Sequence, residues 1–242
     1  CNFKHLEGVP THYAHLIKDA VCPLLKYKNI HNVNKIYLYV PSNYNEKFKK
    51  VITTILPFVQ VISDTSIIYD TIQVKLNNIK DLKVLNLYSR NLFVNESLSK
   101  RKYILLINRD IDHSSTEVDI IKDNGIARRS IKNFDNLKNK LSKFCKDHNL
   151  ELKHVVLENL SMNKQIMLFK YATIIIAQHG ASLVNTVWCT KCKLVIEYNS
   201  FENMWYKIFH QFSHEWIIDI YQSNHIYVNI PHTISLLENA VF

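Results

Sequence analysis

Glycine is almost missing from this chain: three residues in 242. A sequence that uses so little of it keeps glycine for places where a side chain would obstruct. Gly180 stands between the apolar run Thr173–Ala177 and a helix start. Long apolar stretches are missing too. No run reaches the roughly 18 to 20 residues that a membrane span needs, and no signal peptide is visible. Cys1 in the place of a methionine predicts a fragment of a longer protein. Five cysteines give no disulfide framework. Cys189-x2-Cys192 is half a zinc site that no second CxxC or nearby histidine pair completes, so two plain thiols are expected there. Repeats and low-complexity tracts are absent.

What remains is the composition of a folded protein. Apolar residues make up 47% of the chain and charged residues 21%, with 11 Phe, 3 Trp and 13 Tyr. That excludes intrinsic disorder, and the length allows one large domain or two small ones. A net charge of +9 asks for an anionic partner. The lysines are scattered over amphipathic segments such as Lys132–Lys146, the pattern of a solvated helix face. No nucleic-acid partner is therefore expected, and a basic nucleic-acid-binding module stays as the rival class, which predicts affinity that falls steeply with salt. Asn95-Glu-Ser97 and Asn159-Leu-Ser161 fit the glycosylation pattern, as chance allows in an Asn-rich chain.

Periodicity predicts a helix over Tyr13–Lys28, a strand Lys35–Val40 apolar on both faces, a helix Asn45–Leu56 and a strand Val59–Ile62. Short strands are expected near Ile67–Tyr69 and Ile72–Leu76. The pattern restarts at Arg101 with the apolar run Tyr103–Ile107. A helix Phe134–Asp147, a strand His154–Leu157, a helix Ser161–Tyr171 and a strand Thr173–Ala177 follow. Then come a helix Ala181–Val187, a strand Lys193–Tyr198, a helix Glu202–Phe212, a strand Trp216–Ile220 and a last helix from His232. Strands apolar through their centres and alternating with helices indicate an α/β fold with parallel sheets. The expected architecture is two Rossmann-like halves, residues 1–100 and 101–242, facing a cleft. A single doubly wound domain is the fallback.

Where a strand's carboxyl end turns into a helix, free N–H groups and the positive end of the helix dipole face one spot, which suits a diphosphate. His179, Gly180 and Ala181 occupy such a turn. The string LS-x3-Q-x2-LF-x2-A from Leu160, then HGA-x-L-x2-N from His179 to Asn185, then VIEY resembles the signature of glycosyltransferase family 61. INR at Ile107–Arg109 and ARRSIKNFDNL at Ala127–Leu137 are similar to that family's arginine segments. His15-x3-Asp19-x3-Pro23 is similar to its H-x3-D-x3-P segment. The resemblance implies a GT-B fold and a metal-independent enzyme without a cofactor. It further implies transfer from a nucleotide sugar, most often a UDP-sugar, to a glycan or glycoprotein, the amino-terminal half holding the acceptor and the carboxyl-terminal half the donor. Neither the sugar nor the acceptor is selected by these residues.

Such a transfer needs a cradle for the departing diphosphate, a base for the acceptor hydroxyl and a grip on the nucleoside. His179 can donate to a phosphate oxygen or merely cap the turn. Gly180 admits a phosphate where a Cβ would collide. Asn185 faces the ligand or anchors the loop. Arg109, at the end of the apolar strand, and Arg129 beside Arg128 are candidate phosphate clamps. Glu197 interrupts an apolar strand, so it needs a partner, either ribose hydroxyls or an arginine. His15 and Asp19 share a helix face and are the candidate base, with His12 as competitor and an ordinary surface pair as the plain alternative. Asp110-Ile-Asp112 resembles the DxD motif of metal-dependent GT-A enzymes. A family member that binds glycans without turnover is the third possibility.

Overall fold

The computed structural model describes residues 13–63, 80–93, 100, 102–108, 131–199, 212, 215–220 and 227–241. The chain divides into two compact units, Cys1–Phe93 and Val94–Phe242.

In the first unit one α turn, Tyr13–His15, widens into a π segment, Leu16–Val21, and continues as the α-helix Cys22–His31, α1. Asn32 closes it in the left-handed conformation that asparagine tolerates better than most residues. Strand β1, Ile36–Tyr39, pairs in parallel with β2, Val59–Ile62, and α2, Glu46–Ile55, connects them. Asn45 caps α2 by accepting from the Lys47 N–H at 2.9 Å. Only one face of β1 is closed: Ile36 and Leu38 are buried, whereas Tyr37 is exposed. The apolar second face read from the sequence is therefore open in this unit.

Helix α3, Lys80–Ser89, lies in the stretch where only short strands were expected. It buries Leu82, Leu85, Asn86 and Ser89, and the last two conceal its helical spacing from a count of apolar residues. The Ser89 hydroxyl is accommodated by donating to Asn86 O at 2.7 Å. The strands expected within 64–79 and the helix expected over 202–212 lie outside the described residues, apart from Phe212.

Among the described residues, the second unit is built on a five-stranded parallel sheet. Its strands are β3 Tyr103–Asn108, β4 Glu151–Val156, β5 Ile174–Gln178, β6 Leu194–Asn199 and β7 Glu215–Ile220. The order across the sheet is β4-β3-β5-β6-β7. Helix α4, Phe134–Asp147, follows β3; α5, Met162–Tyr171, follows β4; α6, Ile230–Val241, follows β7. The long apolar strands are closed on both sides, with Tyr103 through Ile107 at 0–1% exposure, as parallel strands under two helical layers must be.

One face packs Ile104, Leu106, Ile174, Ile176, Leu194 and Ile196 against Leu137, Leu141 and Phe144 of α4 and Leu237 of α6. Asn133 ties these two helices at their starts, accepting from the Val228 N–H and donating to the Val228 carbonyl, both at 2.9 Å. On the other face the Tyr103 hydroxyl donates to Leu168 O on α5 at 2.5 Å.

Strand β4 begins three residues earlier than periodicity suggests, because the Glu151 N–H donates to Lys102 O and starts the ladder. As an edge strand it carries polar residues that a buried strand could not. The segment after β5 also differs from expectation. Ala181–Trp188 is a 3₁₀ helix, opened by Leu183 N–H to Gly180 O at 3.0 Å and tightened where the Thr186 hydroxyl donates to Leu183 O at 2.7 Å.

Candidate functional site

Strand order reverses between β3 and β5, and in open α/β sheets ligands gather outside the carboxyl ends of the strands at that switch point. Asn108 ends β3 there, and Gln178 ends β5.

His179 follows β5 and keeps its backbone in the sheet, its N–H donating to Tyr198 O at 2.7 Å. Its Nδ1 lies 2.5 Å from Glu197 Oε1. A carboxylate only accepts, so Nδ1 carries the proton. Asn199 Nδ2, another donor, is 3.4 Å from the same nitrogen, and the closer carboxylate decides the tautomer. The second oxygen of Glu197 accepts from Trp216 Nε1 at 2.8 Å. Glu197 is 1% exposed. Among the described residues the burial of Glu197 is answered from within the protein. Histidine and tryptophan from the neighbouring chain segments take both oxygens, and the carboxylate fixes the imidazole rather than reaching outward. Trp216 was missed because only the pairing of β6 with β7 brings it onto the face of Glu197, diagonally across from it.

Gly180 has φ 164° and ψ 174°, an extended backbone open to any residue. The glycine is therefore not a conformational necessity, contrary to the turn the sequence suggested, and its remaining use is the space its missing Cβ leaves. Ala181 and Ser182 begin the 3₁₀ helix, so their amide N–H groups have no acceptor within it.

Asn185 does not join His179. It is 1% exposed, its Nδ2 donates to Gln165 Oε1 at 3.2 Å, and its Oδ1 accepts from Trp188 Nε1 at 2.9 Å. Gln165 in turn donates to the carbonyls of Leu157 and Leu160 at 2.9 and 3.1 Å. Of the two roles open to Asn185, the structure shows the anchor. The glutamine of LS-x3-Q and the asparagine of HGA-x-L-x2-N are two ends of one clamp that fixes the 3₁₀ helix against α5.

Arg109, Arg128, Arg129, Asp110 and Asp112 lie outside the described residues, as does His12. In the first unit His15 Nδ1 and Asp19 Oδ2 meet at 2.9 Å across the start of the π segment. Cys189 and Cys192 are buried and form no disulfide. Burial pushes the Cys189 thiol well up, with Cys192 beside it adding to the shift, and the Cys192 thiol donates to Leu194 O at 3.3 Å. Both thiols are packed into the interior. Among the described residues no group of three metal-ligating side chains occurs and no helix is long and apolar enough to cross a membrane.

A family model, Glycosyltransferase 61, matches residues 13–196. The chain belongs to glycosyltransferase family 61. The match covers most of the sequence and takes in His15, Asp19, Arg109, Arg129 and the HGA segment, and it ends one residue before Glu197. A search of curated proteins gave no match. Membership makes the protein a transferase of glycosyl groups, with a sugar donor and an acceptor as its partners. A mixed α/β chain with parallel sheets agrees with the Rossmann-like fold of such a family 61 enzyme.

Proposed function

We propose that this family 61 enzyme is an inverting, metal-independent glycosyltransferase of GT-B architecture. It moves a sugar from a UDP-sugar to a hydroxyl of a glycan or glycoprotein. The observation that carries the reading is the buried His179–Glu197 pair beside an open 3₁₀ helix start, at the switch point of a parallel sheet.

In this reaction the acceptor oxygen bonds to the anomeric carbon while the bond from that carbon to the diphosphate oxygen breaks. Negative charge grows on the diphosphate, and fixed donors that meet it lower the barrier. Glu197 holds the His179 ring so that Nε2, when protonated, donates to a phosphate oxygen. The Ala181 and Ser182 N–H groups and the gap at Gly180 serve the same anion, with Arg109 and Arg129 as its clamps. Asn185 supports this cradle from behind through Gln165.

The proton of the acceptor hydroxyl goes to the His15–Asp19 pair. Asp19 accepts from Nδ1–H and orients the ring, which leaves Nε2 as the basic nitrogen. The amino-terminal unit is the acceptor side and the carboxyl-terminal unit the donor side.

Thermal stabilisation by UDP, GDP, CMP and ADP, each with manganese and with EDTA, tests the reading, since a ligand that binds only the native state must raise stability. A shift with UDP that persists in EDTA is expected. A shift that requires manganese would transfer the diphosphate to Asp110 and Asp112 and overturn it.

A further inference from the structure

The register of the larger sheet draws one polar row across it. Tyr198 pairs with Gln178 on one side and with Asp219 on the other. Asn108, one step beyond the pair Ile107 and Ala177, falls in line with Gln178. Residues aligned across neighbouring strands share a face, so all four lie on the side packed by α4 and α6. The rows beneath them are apolar: Leu106, Ile176, Ile196 and Ile217, then Ile104, Ile174 and Leu194. Polarity begins at the last step before the carboxyl edge.

Two members of this row are incomplete. Among the described residues, Asn108 Oδ1 and Asp219 Oδ2 are buried side-chain oxygens without a hydrogen-bond partner. A buried polar atom left unpaired costs about 1–3 kcal/mol, more when charged, so each needs an explanation. Tyr198, between them, is already engaged with Thr233 Oγ1 at 3.0 Å. Both orphan atoms are acceptors, so whatever completes them must donate. A diphosphate has no donor to offer and shares the sign of Asp219. A sugar hydroxyl fits both positions.

We propose that Asn108 and Asp219 are specificity-determining residues that accept hydrogen bonds from hydroxyl groups of the bound nucleotide sugar. The proposal rests on the nucleotide-sugar reading above. The diphosphate sits with His179, and this row reads the sugar rings. The two strands that carry the acceptors are three spacings apart, about 14 Å, so they address different rings. Ribose and the transferred sugar offer the same hydroxyl chemistry, and binding experiments separate them.

Calorimetric titration of the protein with UDP and with UDP-glucose is the test, on wild type, Asn108→Leu and Asp219→Leu. Each variant removes an acceptor and keeps the side-chain size. Since neither oxygen has a partner among the described residues, melting temperature should hold or rise, while Kd rises about tenfold or more, the worth of one such bond. A residue that merely supports the fold would lose stability and affinity together. Equal losses for UDP and UDP-glucose assign the residue to ribose; a loss for UDP-glucose alone assigns it to the transferred sugar. Asp219→Asn, the milder change, should shift affinity in the same direction if the leucine variant fails to fold. Wild-type affinity in every variant overturns the row alone. A wild-type protein that binds neither nucleotide removes the donor reading, and the row with it.

Discussion

His179 and Glu197 meet at 2.5 Å with side chains 10% and 1% exposed, whereas His15 and Asp19 meet at 2.9 Å with side chains 54% and 24% exposed. The chemistry of the two pairs is the same and the surroundings are opposite. Away from water a polar group stranded without its hydrogen-bond partner is costly, so the first pair is held in one geometry. In contact with water the second is screened and adds little to stability. What the exposed pair keeps is access, which its proposed role as a base requires. It also flanks a π segment, a local irregularity that often marks functional sites. The contrast teaches that the same imidazole–carboxylate contact can be a fixed frame in one unit and an exposed, reachable group in the other.

The largest separation of the two is expected in turnover. Removing the proposed base with His15→Ala or Asp19→Ala should lower kcat by about 10²–10⁴-fold with unfolding free energy changed by less than about 1 kcal/mol. Steady-state kinetics beside urea denaturation checks both. A variant that keeps full activity returns this pair to the role of surface decoration.

Glu197→Ala should behave in the opposite way. It strands the ring N–H of His179 and the indole N–H of Trp216, and breaking a buried pair costs about 3–5 kcal/mol. A urea midpoint close to wild type would show that the pair is not a frame.

A smaller effect comes from Asp219, whose carboxyl burial holds above its usual value of 3.8, with His232 opposing the shift and Tyr198 the other titratable group beside it. Over that interval the native state binds more protons than the unfolded one. Stability from this group is therefore present at low pH and falls as pH rises through the raised value. Asp219→Leu should flatten that limb of a denaturation-against-pH profile, and an unaltered slope would assign it to other groups.

The mildest expectation concerns Gly180. An extended backbone accepts a Cβ, so Gly180→Ala should stay within about 0.5 kcal/mol of wild-type stability while weakening UDP binding. Loss of stability without loss of binding would mean that the methyl collides with the protein rather than with a ligand.

Much of the fold is legible in the sequence for a simple reason. Tyr103–Ile107 and the strand beginning near Ile174 are uninterrupted apolar runs, which only a strand covered on both sides can bury. Helix α4 shows Leu137, Leu141, Phe144 and Cys145 at helical spacing and was bounded from that spacing alone. Helix α3 was missed because two of its four buried positions are Asn86 and Ser89. The 3₁₀ form of Ala181–Trp188 was invisible because its apolar residues fit either helix over so short a length.

Of the candidate site, the sequence by itself determined the residue types and their order: HGA after a strand, a glutamate inside an apolar run, a histidine four residues before an aspartate. Those are local facts, fixed by spacing along one chain. Tertiary structure alone decided who meets whom. Glu197 found His179 and Trp216, Asn185 turned to Gln165 and Trp188, and Asn108 and Asp219 came into one row. Partners in a parallel sheet are separated by whole helices and loops, and only the packing of those helices sets which strands become neighbours and in which register.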